Sequence, residues 1–323
     1  MAEAMIWTAA HLRAHRDLTA DIRLFEVEPE AEFVPPAPGS HINVAVEIEG
    51  RPDVRCYSVV GGGNGRYRIA VKRLAESRGG SAHMWRLAPG ARLRVSRPRN
   101  HFRLRQGCEE YLLVAGGIGI TPIHPMALAL AEARAPFRLL YAARSRDELA
   151  FAEELAAGIG DRLELFVGEE GRRIDLAAAI DRLAKRGVLY VCGPFGMLEA
   201  ARRHWQSSGR PMDGLHFETF GSGGRLATEP FLVKIPRLGK EIRVSKHESM
   251  LEAMERAGIE VIADCRRGEC GLCALTVLQA DGPIDHRDVF FSDRQKMDGT
   301  RLCACVSRLA GGSITIDTAD RTA

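Results

Sequence analysis

The sequence predicts a multidomain chain: an antiparallel β-barrel, then an α/β doubly wound parallel sheet, then a small metal-binding unit. Three observations predict it. Up to about residue 105, short apolar runs of period two are broken by Gly or Pro roughly every ten residues, as in a barrel or sandwich. From Tyr111 onward, short buried strands alternate with helical segments, the pattern of a parallel sheet. Three thiols then crowd into the stretch Cys265 to Cys273, and two more, Cys303 and Cys305, follow.

At 323 residues the chain has room for two or three domains. A hydrophobic content of 46%, a charged content of 27% and a net charge of +3 fit a globular protein and call for neither nucleic acid nor a membrane surface. The amino terminus lacks a basic segment followed by a long apolar one, and no later run is long enough to span a bilayer, so a cytoplasmic protein is expected. In that reducing setting the 8 cysteines are metal ligands or buried thiols rather than disulfides. The 10 histidines show no metal-binding spacing.

The barrel strands read as Ile22 to Val27, the run from His41 up to Gly50, Arg55 to Val60, and Tyr67 to Val71. Within them lies Arg55-Cys-Tyr-Ser58, followed by Val71-Lys-Arg and by Gly79-Gly-Ser81 at a helix start. An arginine, a nest of amides and a helix amino terminus make a phosphate cradle, and Tyr57 offers a flat face to an aromatic ring. A cross-strand packing tyrosine and an ordinary glycine turn would read the same way.

Tyr111 to Ala115 is a buried strand that runs into Gly116-Gly-Ile-Gly-Ile-Thr-Pro122, and a helix is expected over Met126 to Ala133. Further strands are Phe137 to Ala142, Leu163 to Val167, and Val188 to Val191, the last ending at Cys192-Gly-Pro-Phe-Gly-Met197. In such a sheet ligands sit beyond the carboxyl ends of the strands, where both glycine turns fall. A glycine turn of this kind lets backbone approach a pyrophosphate, although a ligand-free connection can look alike. Gly221 to Pro230 reads as a linker. Beyond it come a hairpin (Phe231 to Pro236, Lys240 to Val244) and a short helix (Met250 to Ala257).

The C-x4-C-x2-C spacing of Cys265, Cys270 and Cys273, with a distant fourth thiol, is what a plant-type [2Fe–2S] cluster requires. A zinc site, which favours two close pairs, or a set of buried thiols are the alternatives.

These motifs, together with His216-Phe-Glu-Thr-Phe220, Asp285-His-Arg-Asp288 and Cys305-Val-Ser-Arg308, resemble in their order the phthalate dioxygenase reductase and vanillate demethylase reductase family over nearly the whole chain. The resemblance implies an FMN-binding β-barrel over 1–105, an NAD(H)-binding domain over 106–225, and an α+β β-grasp ferredoxin over 230–323. It gives Arg55 the flavin phosphate, together with Gly79, Gly80 and Ser81. Tyr57 takes the ring face, Ser58 a hydrogen bond near N5, and Val71 with Lys72 the ring edge. Gly117, Gly119 and Thr121 match the pyrophosphate turn, and Cys192, Gly193 and Pro194 the turn beside the nicotinamide. Phe220 shields the flavin where nicotinamide enters, so that Ser58, Cys192 and Phe220 are the candidate catalytic residues. No adenine-recognition signature is present, which favours FMN over FAD. Arg144, Ser145 and Arg146 could accommodate a 2′-phosphate, while the family mostly uses NADH.

The fourth cluster ligand has two candidates. Cys303 lies at the plant-ferredoxin spacing, leaving twenty-nine residues after Cys273, whereas Cys305 heads the Cys-Val-Ser-Arg motif; the resemblance selects Cys265, Cys270, Cys273 and Cys305. A hydride carries two electrons and the cluster takes one, so the expected order is NADH, FMN, [2Fe–2S], external acceptor. The implied acceptor is a terminal Rieske non-haem iron oxygenase, met transiently by a monomeric reductase through a face around Arg266, Arg267 and Glu269. A reductase serving a diiron or haem monooxygenase is the nearer alternative, and a zinc-stabilised binding module without redox chemistry the more distant one.

Overall fold

The computed structural model describes residues 6–48, 50–74, 79–220, 226 and 228–318. The linker expected at Gly221 to Pro230 lies largely outside them. The chain divides into two compact units, the first ending at Glu218 and the second beginning at Thr219.

The first unit opens with seven antiparallel strands: β1 (Trp7–Asp17), β2 (Ile22–Pro29), β3 (Ser40–Ile48), β4 (Arg51–Gly63), β5 (Arg66–Lys72), β6 (Arg92–Ser96) and β7 (Arg99–Asn100). Their order is β4-β5-β2-β1-β6-β3-β7, and β4 also pairs with β3, which closes six of them into a barrel. Alternate residues such as Phe25 and Val27, Ile42 and Val44, and Tyr67 and Ile69 fill its interior. Strand β1 has only Ala10 and Leu12 buried, so its apolar signal is slight. Backbone pairing to β2 on one side and β6 on the other makes it a strand. Strand β4 runs on through Gly61–Gly63, where the sequence suggests a turn, and is bulged between Val59 and Gly61 against β5. A side chain at Gly62 would press on Phe33 and Pro36. A short helix, α1 (Gly80–Arg86), follows β5.

The remainder of the first unit is a parallel sheet of β8 (Tyr111–Gly116), β9 (Phe137–Ala143), β10 (Leu163–Val167), β11 (Val188–Cys192) and β12 (Leu215–Glu218), ordered β10-β9-β8-β11-β12. The strand order reverses between β8 and β11, the place where such sheets bind ligands. Its helices are α2 (Ile120–Glu132), α3 (Ala152–Ile159), α4 (Leu176–Asp181) and α5 (Phe195–Ser207). Helix α2 begins at Ile120 rather than Met126; Pro122 falls in the first turn, where backbone N–H groups have no intrahelical acceptor and a proline costs little.

The second unit is α+β. Strands β13 (Phe231–Ile235), β14 (Lys240–Val244), β15 (Ala274–Ala280), β17 (Arg301–Cys303) and β19 (Ser313–Asp317) form a mixed sheet ordered β14-β13-β19-β15-β17, and β16 (Ile284–Asp285) pairs with β18 (Arg308–Leu309). Helix α6 (Met250–Arg256) starts with a capping box between Ser249 and Glu252 and buries Met250, Leu251, Ala253 and Met254. Helix α7 (Asp293–Asp298) is capped in the same way by Ser292 and Gln295. The cysteine loop enters this core through Cys273, followed by Cys303 and Cys305. Among the described residues no helix is long and apolar enough to cross a membrane.

Candidate functional site

Arg55 and Tyr57, two apart on β4, project from one face of the strand. One guanidinium nitrogen of Arg55, Nη1, pairs with Asp53 at 2.7 Å. The other, Nη2, is buried with no hydrogen-bond partner among the described residues. A buried donor left unmade is costly, so this atom is set for an acceptor from outside the chain. Gly80 lies against the same side chain: a Cβ there would come within 2.5 Å of Arg55 Nε. The preceding Gly79 has φ of 93°, a conformation glycine adopts without strain. The pair thus brings bare backbone up to a guanidinium with one nitrogen unpartnered, which fits a phosphate. Burial pushes the Tyr57 phenol up, against the opposing pull of Arg55. Ser58 is buried and donates to Glu218 Oε2 at 3.1 Å, joining the barrel to the last strand of the parallel sheet.

Other candidates on this side already have partners. The Ser81 hydroxyl accepts from the Leu74 amide at 3.4 Å. The Val71 carbonyl accepts from Trp85 Nε1 at 3.1 Å. The Lys72 ammonium sits between Asp21 (3.0 Å) and Glu148 (3.5 Å). An open cavity of about 520 Å³, lined by Arg23, Arg73, Trp85 and Arg86 among others, lies apart from Arg55 and Tyr57. Both Arg23 and Arg73 stack on the Trp85 ring, at 4.2 and 4.7 Å, and Arg23 is ion-paired with Asp17.

At the switch of the parallel sheet the two glycine turns touch. A Cβ on Gly119 would lie 2.2 Å from the Cys192 carbonyl oxygen, and one on Gly116 would lie 2.6 Å from the Pro194 ring. Glycine is required at both places for β8 and β11 to end side by side. Gly117 has φ of 53° and open space where a side chain would be. Thr121 is buried and donates to the Ile118 carbonyl at 3.0 Å, holding the turn closed. Arg144, in contrast, is exposed and pairs with Glu148 at 3.2 Å, while Arg146 pairs with Glu170.

The cysteine loop belongs to the second unit. The backbone amides of Arg267, Glu269 and Cys270 all donate to Cys265 Sγ, at 3.4, 3.4 and 3.3 Å. This convergence requires an unusual backbone: Arg266, Gly268 and Gly271 all have positive φ, at 52°, 75° and 71°. A side chain on Gly271 would enter the Phe290 ring at 2.3 Å, and one on Gly268 would meet Val306 and Asp288. Among the described residues, no three side chains are arranged to hold a single metal ion. The thiols fall instead into two groups. A hydrogen bond to Cys265 holds Cys270 down to about 6 while raising Cys265. Hydrogen bonds from Cys303 and Cys305 lower Cys273 to about 3 while raising both donors. Two groups of thiols suit a binuclear cluster better than one zinc ion.

Cys303 and Cys305 are not equivalent. Cys303 ends β17, is fully buried and feels Asp288. Cys305 lies in the turn beyond and feels Cys273 as well as Cys265. The expected exposed face of Arg266, Arg267 and Glu269 does not form as such. Arg266 is exposed and pairs with Glu255, but Arg267 is 7% exposed. The Glu269 carboxylate accepts from the Thr219 amide at 2.7 Å. Phe220 is 39% exposed.

Some of these residues escaped the sequence reading. Glu218 lies inside a quoted motif but is assigned no role, because its partner Ser58 is remote in the chain. The same holds for Thr219, whose partner Glu269 is read from the sequence as part of a docking face instead.

Residues 233–310 match the family model described as 2Fe-2S iron-sulfur cluster binding domain. The chain is 38% identical over 294 residues to the putative toluene-4-sulfonate monooxygenase system reductase subunit of Comamonas testosteroni, covering 86% of this chain and 88% of that protein. It is 35% identical over 308 residues to the heme-dependent oxidative N-demethylase beta subunit of Ectopseudomonas mendocina (strain ymp), covering 94% and 96%. A solved structure of phthalate dioxygenase reductase, described as modular for electron transfer from pyridine nucleotides to [2Fe-2S], superposes with a TM-score of 0.79 at 30% identity, covering 96% of this chain and 98% of that one.

Proposed function

The chain belongs to the phthalate dioxygenase reductase family, and from that premise we propose that it is the NADH-dependent reductase component of a multicomponent Rieske-type oxygenase or demethylase. The observation that carries this reading is the convergence of three backbone amides on Cys265 Sγ. A buried structural thiol needs no such donors, whereas a thiolate bound to iron does. The domains are FMN-binding over 1–105, NAD(H)-binding over 106–225 and ferredoxin over 230–323. Bound FMN would supply acceptance of a hydride from NADH and one-electron release toward a [2Fe–2S] cluster.

The protein supplies the binding groups. Arg55, with Gly79, Gly80 and Ser81, would hold the flavin phosphate, and the unpaired Nη2 of Arg55 supports that role. Tyr57 would pack on the ring face, Val71 and Lys72 at its edge, and Ser58 near N5, its hydroxyl oriented by Glu218. Gly117, Gly119 and Thr121 would admit the pyrophosphate, with Cys192, Gly193 and Pro194 at the nicotinamide and Phe220 over the ring. Glu148 and Glu170 beside Arg144 and Arg146 repel a 2′-phosphate, which favours NADH. Cys265, Cys270, Cys273 and Cys305 are the proposed cluster ligands, Cys305 being preferred because it heads the Cys-Val-Ser-Arg motif and its thiol feels both Cys273 and Cys265.

The partner is a separate oxygenase, met transiently by a monomeric, cytoplasmic reductase. The likeness to the N-demethylase beta subunit supports a second reading, in which the acceptor is a haem protein. One experiment tests both the cofactors and the order. The extracted flavin is identified by mass, and the protein is titrated anaerobically with NADH and NADPH while flavin and cluster absorbance are followed. Reduction of both by NADH is expected. A colourless protein, or one without a reduced-state EPR signal, ends the proposal. Reduction of a Rieske oxygenase, against a haem enzyme, by the NADH-charged protein separates the two partners.

A further inference from the structure

The loop that carries Cys265, Cys270 and Cys273 is held by Thr219, a residue that no motif singles out for a role. Thr219 is 7% exposed. Its hydroxyl lies 2.9 Å from the Arg267 carbonyl and 3.1 Å from Glu269 Oε1, and its amide donates to the same Glu269 oxygen at 2.7 Å. The hydroxyl has one proton and the amide already serves the carboxylate, so the hydroxyl proton goes to the Arg267 carbonyl.

That carbonyl belongs to Arg267, whose own N–H donates to Cys265 Sγ at 3.4 Å. The Thr219 hydroxyl therefore fixes the position of a residue whose amide donates to a sulfur. The other arm acts likewise: Glu269, gripped at its carboxylate by the Thr219 amide, donates through its own amide to Cys265 Sγ at 3.4 Å. Arg266, which is not a glycine, has left-handed backbone, a conformation its own residue type disfavours, and contacts from Thr219 help to hold the loop in it.

We propose that Thr219 is a positioning residue for the cluster: its hydroxyl, by holding Arg267, sets the strength of the N–H donation to Cys265 Sγ and hence the reduction potential of the [2Fe–2S] centre. This rests on the reading of the loop as a cluster site. Donors to cluster sulfurs stabilise the reduced, more negative state, so weakening them lowers the potential.

The test compares Thr219→Val, which keeps the shape and removes the hydroxyl, with Thr219→Ser, which keeps the hydroxyl. Midpoint potentials are taken by anaerobic spectroelectrochemistry of the full chain, together with reduced-state EPR. The expected result is a shift to more negative potential with altered g-values in Thr219→Val, and wild-type values in Thr219→Ser. Thr219→Ala is measured in parallel and is expected to follow the valine variant; if valine prevents cluster assembly, alanine and serine decide. Equal potentials in the valine or alanine variant and the wild type overturn the inference. So does a serine variant shifted as far as the valine one, since packing would then be the cause. A wild-type protein with no cluster signal defeats the underlying functional reading instead, and the proposal with it.

Discussion

The cradle at Arg55 and the loop at Cys265 both await a negatively charged group, and they prepare for it in opposite ways. The cradle does so with a side chain: one guanidinium nitrogen is kept buried and unpaired, and glycine at position 80 lets backbone come close to it. The loop does so with backbone: three amides converge on one sulfur, and residues at positive φ make that possible. A side-chain site is marked by residue type and tolerates backbone adjustment. A backbone site is marked by conformation and tolerates most side-chain changes, provided the glycines and ligands remain.

The sharpest way to break this contrast is at the ligands. Cys305→Ser is expected to abolish the cluster's visible and EPR signals while NADH still reduces the flavin, whereas Cys303→Ser keeps both. The reverse outcome would transfer the fourth ligand to Cys303. Arg55→Met should weaken flavin retention by roughly ten- to a hundredfold, the worth of a charge-assisted hydrogen bond of about 1.5–3 kcal/mol; flavin fluorescence after dilution measures it. Unchanged retention would mean that the cradle, too, works through backbone. Gly119→Ala drives a methyl toward the Cys192 carbonyl, and about a tenfold slower flavin reduction by NADH in stopped flow is expected, or about 1.4 kcal/mol. For the loop, Arg266→Gly should leave the cluster spectrum unaltered, since that side chain faces outward to Glu255.

The smallest effect concerns pH. The buried His124 imidazole, 3.2 Å away, holds the Glu154 carboxyl below its usual value of 4.5. A depressed folded pKa contributes stability above the unfolded value and loses it as pH falls through the folded one. Glu154→Gln should therefore lower Tm slightly at neutral pH and leave it unchanged well below about pH 4.5, so that the acid-side decline is flatter; because Glu154 is partly exposed the effect is small. A parallel shift of the whole Tm curve would point to packing rather than charge.

Much of the fold was legible because burial and periodicity coincide in it. Strands such as Tyr111–Gly116 and Val188–Cys192 are buried along their whole length and read as apolar runs. β1 did not, because ladder pairing forms it while most of its side chains stay partly exposed. The glycines at 119 and 80 were visible as letters, but what they avoid is set by partners elsewhere in the chain, Cys192 and Arg55. The least legible features were the buried polar pairs. Ser58 with Glu218 and Thr219 with Glu269 are ordinary residue types until the fold brings them together, and the charged run Arg266 to Glu269 looked like a solvated face for the same reason.

The contact of Gly119 with the Cys192 carbonyl also dictates a schedule. The first glycine turn cannot acquire its final shape until β11 has been added beside β8, long after β8 itself is made. During synthesis the nucleotide turn is therefore among the last parts of the first unit to mature, since a contact so distant in sequence must wait for the intervening chain. A ribosome-stalled chain ending before Val188 should hold barrel structure without a finished nucleotide turn.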